Sequence, residues 1–153
     1  MNWCGTLEHN RHWKMLGFAM HCSGLAHSLM ALREHGVDET PAGPQYRLFQ
    51  LDNKEREEFA KFAANLRWFL KENYDREHDD AYWEEYGKHK YTDYEFFSFF
   101  DRFSDEEVKP HIEAMEKVAA GEPLKDIKPL MDFLNMLSSR AHGIVDDMRG
   151  GCF

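Results

Sequence analysis

Cysteine is scarce in this chain of 153 residues, and its three cysteines, Cys4, Cys22 and Cys152, form no Cys-x-x-Cys pair. An odd number of cysteines without that spacing argues against a disulfide scaffold and against a zinc finger. Reduced thiols are typical of the cytoplasm. The first ten residues lack a basic region followed by an apolar run, so no signal peptide is expected. We therefore predict a cytoplasmic location.

Catalytic and nucleotide-binding motifs are also missing. The chain contains no Gly-x-Ser-x-Gly elbow, no P-loop, no Rossmann fingerprint and no His-Glu-x-x-His. Cys22 lies one residue from His21 and five from His27, and neither helical spacing places an imidazole against the sulfur. We therefore expect Cys22 to be a buried small apolar residue. Whether the chain is an enzyme stays open at this point.

Positive charge is in deficit. Asp and Glu number 28 against 19 Lys and Arg, which gives a formal net charge of −9. Such a chain is repelled by phosphate backbones and anionic membranes, so no nucleic-acid partner is expected. Hydrophobic residues make up 42% and aromatic residues 14%, a composition that excludes a disordered chain. Length and composition together predict a single helical domain over residues 1–153.

The longest uncharged stretch extends from Met15 to Leu32 and lies within a helix predicted from about Thr6 to His35. Its apolar residues fall on nearly every face, which favours a buried central helix over a membrane span. One stripe of this helix carries small residues and histidines: Gly17, His21, Gly24, Ser28, Ala31 and His35. Because helices approach most closely where their side chains are small, we expect another helix to pack there.

Later helices are marked by caps and by apolar periodicity. Asp52 and Glu55 resemble a capping box for a helix that should end near Tyr74. Ser104 with Glu107 begins the next helix, unless Pro110 marks its true start. The last helix starts near Asp126 or Pro129, and its expected apolar face is Leu130, Phe133, Leu134, Leu137, Ala141, Ile144, Val145 and Met148.

No segment has the pattern of a strand, and residues 37–51 read as a loop. The predicted fold is therefore all-α, a bundle of four to six helices around a long buried N-terminal helix.

Nine histidines raise the question of a metal centre, since neutral imidazole is the commonest metal ligand. Acidic neighbours at helical spacing occur about as often as chance predicts, and the Glu-x-x-His pairs of di-iron bundles are absent. His21 and His27 lie in the uncharged stretch, and His142 shares a helix face with Asp146. These four are the candidate ligands for iron, zinc or haem. The alternative is neutral buried histidine, bonded to Ser, Tyr or a backbone carbonyl.

Residues 82–103 are unusually rich in aromatic side chains and hold ten of them. Aromatic residues beside charges are typical of protein interfaces. The candidate partner-binding residues are Tyr82, Trp83, Tyr86, Tyr91, Tyr94 and Phe97. On a helix, Phe96, Phe99, Phe100 and Phe103 would share one face while Phe97 points elsewhere. The alternative is that most of these rings form core under a long connection.

Two hypotheses from different classes follow. The first is a non-catalytic acidic subunit or accessory protein that binds a larger protein or itself. Examples are the small subunit of an enzyme complex, a maturation chaperone or an immunity-type inhibitor. The second is a metal- or haem-binding helical bundle, such as a non-haem iron oxidoreductase. The first is favoured because the histidine and carboxylate spacing matches chance.

Overall fold

The computed structural model describes residues 5–35, 37–46, 51–73, 84, 86–92, 94–122 and 124–150. Five α-helices lie within them: α1 (Gly5–His35), α2 (Asn53–Trp68), α3 (Tyr94–Phe100), α4 (Asp105–Ala120) and α5 (Lys128–Gly150). The chain divides into two compact units, one formed by Met1–Met30 with Lys128–Phe153 and the other by Ala31–Ile127. The all-α class is confirmed, and the single domain stays a prediction.

In the first unit, α1 packs against α5. The predicted apolar face of α5 is buried at Leu130, Phe133, Leu134, Leu137, Ala141 and Val145. Opposite it, α1 buries Met15, Phe18, Ala19, Cys22, Leu25, Ala26 and Leu29. The buried Ser138 hydroxyl donates a hydrogen bond to the Ala19 carbonyl at 2.8 Å. A buried hydroxyl must find an acceptor, so this bond favours a single register of α5 along α1.

A two-stranded antiparallel hairpin is the main departure from the predicted elements. Strand β1 (Val37–Thr40) pairs with β2 (Gly43–Tyr46) in a segment that was expected to be a loop. Pro41 pre-sets its own φ for a turn, and Gly43 adopts a φ of 110°, which a side chain would disfavour. Thr40 Oγ1 also donates to the Gly43 carbonyl at 2.6 Å. The two strands were not predicted, because four residues are too few to show the alternation of apolar and polar residues that is typical of a strand.

The second unit is built around α2 and α4, which pack against each other. As predicted, α2 is capped by Asp52, whose carboxylate accepts the Glu55 N–H at 2.8 Å. It ends at Trp68 rather than near Tyr74 and continues as a 3-10 turn over Lys71–Asn73. The Lys71 and Glu72 amides donate to the Asp105 carboxylate of α4 at 2.8 and 3.0 Å. Because α4 captures these amides, they are not available to extend α2.

The sequence allowed two starts for α4, one at the Ser104–Glu107 capping box and one at Pro110, and the structure decides between them. The Glu107 amide donates to Ser104 Oγ at 3.2 Å, and the Ser104 amide donates back to Glu107 Oε1 at 3.4 Å. The capping box is therefore confirmed, and Pro110 lies inside the helix instead of at its first position. The helix ends at Ala120, and Gly121 caps it with a left-handed φ of 76°.

We expect Gly121→Ala to lower the free energy of unfolding by about 1–2 kcal/mol, because the left-handed conformation is strained for any residue with a Cβ. A Cβ there would also lie 3.2 Å from the Arg56 guanidinium. Gly143→Ala is the matched control. It lies within α5 with open space around it and should raise that free energy by about 0.5–1 kcal/mol. Urea unfolding followed by circular dichroism measures both free energies. Equal stability of the two variants would contradict the left-handed conformation assigned to Gly121.

Candidate interaction surfaces

The four candidate metal ligands do not converge into one site. His27, His142 and Asp146 are exposed, and His21 is half-buried. Within the described ranges, no three His, Cys, Asp or Glu side chains form a group that could hold a metal ion. His142 and Asp146 stand one turn apart on α5 as a pair, and a role for them in metal binding stays a prediction. The expectation that His27 is buried is wrong, since the buried face of α1 lies on the other side of the helix.

Cys22 behaves as its sequence context predicted. Its side chain is buried in α1, and burial raises the pKa of the thiol far above its ordinary value. The thiolate is the nucleophilic and metal-binding form of cysteine. A thiol held neutral in this way serves as a small apolar group in the packing of α1.

The phenylalanines of residues 96–103 form core in the second unit. Phe96, Phe99, Phe100 and Phe103 are buried together, as their helical spacing predicted, whereas Phe97 is half-buried. Phe69, the residue that follows α2, lies at the centre of this cluster. Its ring stacks on Phe100 with centroids 4.8 Å apart and meets Phe97 edge-on at 4.9 Å. Of the seven rings of residues 82–103 whose side chains the structure describes, five are buried, so the core alternative holds for those five.

Of the candidate partner-binding tyrosines, Tyr91 is a core residue, only 3% exposed. Its backbone N–H donates to Asn65 Oδ1 and its carbonyl accepts from Asn65 Nδ2, both at 2.9 Å. The buried Asn65 thus pins the segment that contains Tyr91 against α2. A ring buried in this way is not available to a partner, which corrects the expectation for Tyr91.

The remaining residues of that predicted surface are more open. Tyr86 is half-buried and meets Trp68 edge-on, with ring centroids 5.5 Å apart. Tyr82 and Trp83 lie outside the described residues, and only the backbone of Tyr94 is described. A partner-binding role for Tyr86 and Phe97 stays a prediction.

The apolar surface that the sequence did not identify lies on α1. The large hydrophobic side chains that are exposed in the described part of the chain are Trp13 (55%), Met20 (62%) and Met30 (40%), and all three belong to this helix. At about 100° per residue, Trp13 and Met20 lie opposite the buried residues of α1, whereas Met30 lies to one side of them. We call the strip formed by Trp13, Gly17, Met20, Gly24, His27 and Ala31 the α1 face.

The α1 face overlaps the predicted stripe of small residues, but no other part of the described chain covers it. A Cβ added at Gly17 or Gly24 would meet nothing within 4 Å. Gly24, His27 and Ala31 are exposed. The expected close approach of another helix is therefore not made within the described chain. The sequence did not show which face of α1 is exposed, because both faces are apolar and no difference in polarity distinguishes them.

One further property of α1 concerns membranes. The segment His12–His35 is long and apolar enough to cross a bilayer by length and composition, and 44% of its most apolar window is buried. The core helices of soluble proteins pass the same test, so this is weak support for a span. The absence of a membrane span and the cytoplasmic location stay predictions.

The α1 face is therefore defined by its own geometry: a strip of uncharged residues, exposed over most of its length, on one side of a helix whose other side is fixed to α5. Large and small residues alternate along it. No protein-family model matches this chain, and no curated protein or solved structure matches it either.

Proposed function

We propose that this chain is a non-catalytic helical subunit or accessory protein that acts by binding another protein through the α1 face. One observation carries the proposal: Trp13 and Met20, the two most exposed large hydrophobic side chains among the described residues, lie on the same strip of α1. Single exposed hydrophobic residues are ordinary, but a contiguous apolar patch is typical of an interaction site. Trp is also among the residues that contribute most to binding at interfaces.

The charge distribution supports the same proposal. The chain carries a net charge of −9, yet none of its charged residues lies between Met15 and Leu32. Desolvating a charge is unfavourable, and the cores of protein interfaces are depleted in charged residues. A long uncharged strip on an acidic protein is therefore the part of its surface that a protein partner could cover with the smallest electrostatic penalty.

The test is native mass spectrometry of the chain recovered from its own source. We expect the wild type in a complex of fixed stoichiometry, and Met20→Glu to weaken that complex about 100-fold or more because it buries an unpaired charge. Asn135→Glu is the matched control, since it adds the same charge at an exposed position of α5. Circular dichroism should show the same helicity in all three proteins, because both substituted side chains are exposed.

Two outcomes would contradict the proposal. In one, the wild type is recovered as a bare monomer. In the other, Met20→Glu leaves the complex intact, which would place the partner on a different surface. Flotation with phospholipid vesicles provides the third comparison: vesicle binding that Met20→Glu abolishes would replace the protein partner by a lipid surface.

A further inference from the structure

We propose that Met20 is a site of reversible oxidation, at which a hydroperoxide converts the thioether to the sulfoxide and thereby weakens binding through the α1 face. This inference rests on the proposed function and names a regulation of the same surface. It is carried by the exposure of Met20, by the small residues around it and by its position within the α1 face.

The methionines whose side chains the structure describes differ widely in exposure. Met20 is the most exposed of them at 62%, followed by Met30 at 40%, whereas Met15 and Met115 are both at 0%. Oxidation requires the sulfur to meet the oxidant, so a buried methionine reacts only when the surrounding structure opens. Among the described methionines, Met20 is therefore the one that a dissolved peroxide reaches most directly.

Small neighbours on the helix surface leave the thioether of Met20 open. Residues three and four positions apart are neighbours on a helix, and for Met20 they include Gly17 and Gly24. A Cβ built on either glycine would meet nothing within 4 Å. Because long helical side chains lean towards the N-terminus, Met20 leans towards Gly17, which has no side chain to cover the sulfur. Met30 instead has the long side chain of Arg33 three positions away.

The reaction transfers one oxygen atom to the sulfur. A lone pair of the Met20 sulfur attacks one oxygen of hydrogen peroxide, so that an S–O bond forms and the O–O bond breaks with release of hydroxide. The hydroxide takes the proton of the new S–OH group, which leaves the sulfoxide and one water. The sulfur is oxidised by two electrons and the peroxide is reduced by two. In the reverse reaction, a methionine sulfoxide reductase uses two thiols, and the products are the thioether, a disulfide and water.

The sulfoxide changes the α1 face and leaves the fold intact. Oxidation converts a flexible apolar side chain into a polar one. In the free chain the new S–O group lies in water, because Met20 is exposed, so the packing of α1 against α5 is unaffected. Under a partner, the same group loses its water, and Gly17 and Gly24 offer it no side-chain donor. Burial of an unpaired polar group is unfavourable, so we expect binding to weaken about 10-fold or more.

Binding and oxidation at Met20 therefore exclude each other. A partner on the α1 face removes the sulfur from water and shields it from peroxide, whereas a sulfoxide on the free chain opposes association. The free chain is the form that is oxidised, and the complex is the form that is protected.

Peptide mapping of the purified chain after treatment with hydrogen peroxide tests the site. Cleavage by trypsin at Lys14 and Arg33 gives one peptide that contains Met15, Met20 and Met30, so three exposures are compared within it. We expect Met20 to be oxidised about 10-fold or more faster than Met15, and also faster than Met30, with unchanged circular dichroism. In concentrated urea the three rates should converge. Equal rates in the folded chain, or faster oxidation of Met30 than of Met20, overturn the proposal.

Native mass spectrometry of the complex from its own source, before and after peroxide, tests the consequence. We expect peroxide to weaken the wild-type complex about 10-fold or more, and methionine sulfoxide reductase with dithiothreitol to restore it. Met20→Leu keeps an apolar side chain of similar size without the thioether, so its complex should form and resist peroxide. Met30→Leu is the matched control, since Met30 lies to one side of the α1 face, and its complex should stay as sensitive as the wild type. Equal sensitivity of Met20→Leu and the wild type overturns the proposal.

Failure of this inference is distinguishable from failure of the proposed function. If Met20→Glu disrupts the complex but peroxide leaves the wild-type complex intact, the regulation by oxidation is wrong and the proposed function stands. If Met20→Glu leaves the complex intact, both proposals are wrong.

Discussion

Phe69→Ala is expected to lower the free energy of unfolding by about 3–5 kcal/mol, the range for truncating a fully buried aromatic side chain. Phe69 is 4% exposed, and its ring contacts Phe100 at 4.8 Å and Phe97 at 4.9 Å. Helix α3, with seven residues, is too short to be stable alone. Removal of the ring leaves a cavity at the point where α3 is held against α2. Guanidinium unfolding followed by circular dichroism measures the change.

Phe97→Ala is the matched control because it removes the same side chain from the same cluster. Phe97 is only half-buried, so its truncation removes less surface from the core and should lower the free energy of unfolding by about 1–2 kcal/mol. The difference between the two variants reports the central position of Phe69. A change below about 1 kcal/mol for Phe69→Ala would contradict the packing described for α3.

The second large effect is expected for Asn65→Ala, which should lower the free energy of unfolding by about 2–4 kcal/mol. Asn65 is 4% exposed and bonds both the backbone N–H and the backbone carbonyl of Tyr91. The substitution leaves both groups buried without these partners. An unsatisfied buried backbone group is much more unfavourable than the net gain from an ordinary hydrogen bond.

Hydrogen exchange locates this effect. The Tyr91 amide should be protected in the wild type and exchange faster in Asn65→Ala, because its acceptor is removed. Asn135→Ala provides the control: the same substitution at an exposed helical position should change stability by less than about 0.5 kcal/mol. Unchanged protection of Tyr91 in Asn65→Ala would mean that another group holds this segment.

Local sequence signals predicted the helices well, because each signal acts within a few residues. Asp52 and Ser104 provide a side-chain oxygen for amides that the first turn leaves unpaired, and Gly121 permits the left-handed residue that ends α4. The period of 3.6 residues also predicted the buried face of α5 and the common face of Phe96, Phe99, Phe100 and Phe103. The end of α2 was not predictable, since the Asp105 carboxylate that captures its amides belongs to a helix far along the chain.

For the α1 face, too, the sequence predicted some properties and only the tertiary structure decided others. The sequence by itself determined that the chain is acidic, that its fold is of the all-α class and that no charged residue lies between Met15 and Leu32, because composition and helical periodicity are local properties. It could not determine which side of α1 is buried, since both sides are apolar. Only the tertiary structure decided that, through the packing of α5 and the bond from Ser138 to Ala19. Because one side of α1 packs against α5, Trp13 and Met20 lie on the surface. Burial of such exposed hydrophobic side chains against a partner would be favourable, since it removes apolar surface from water.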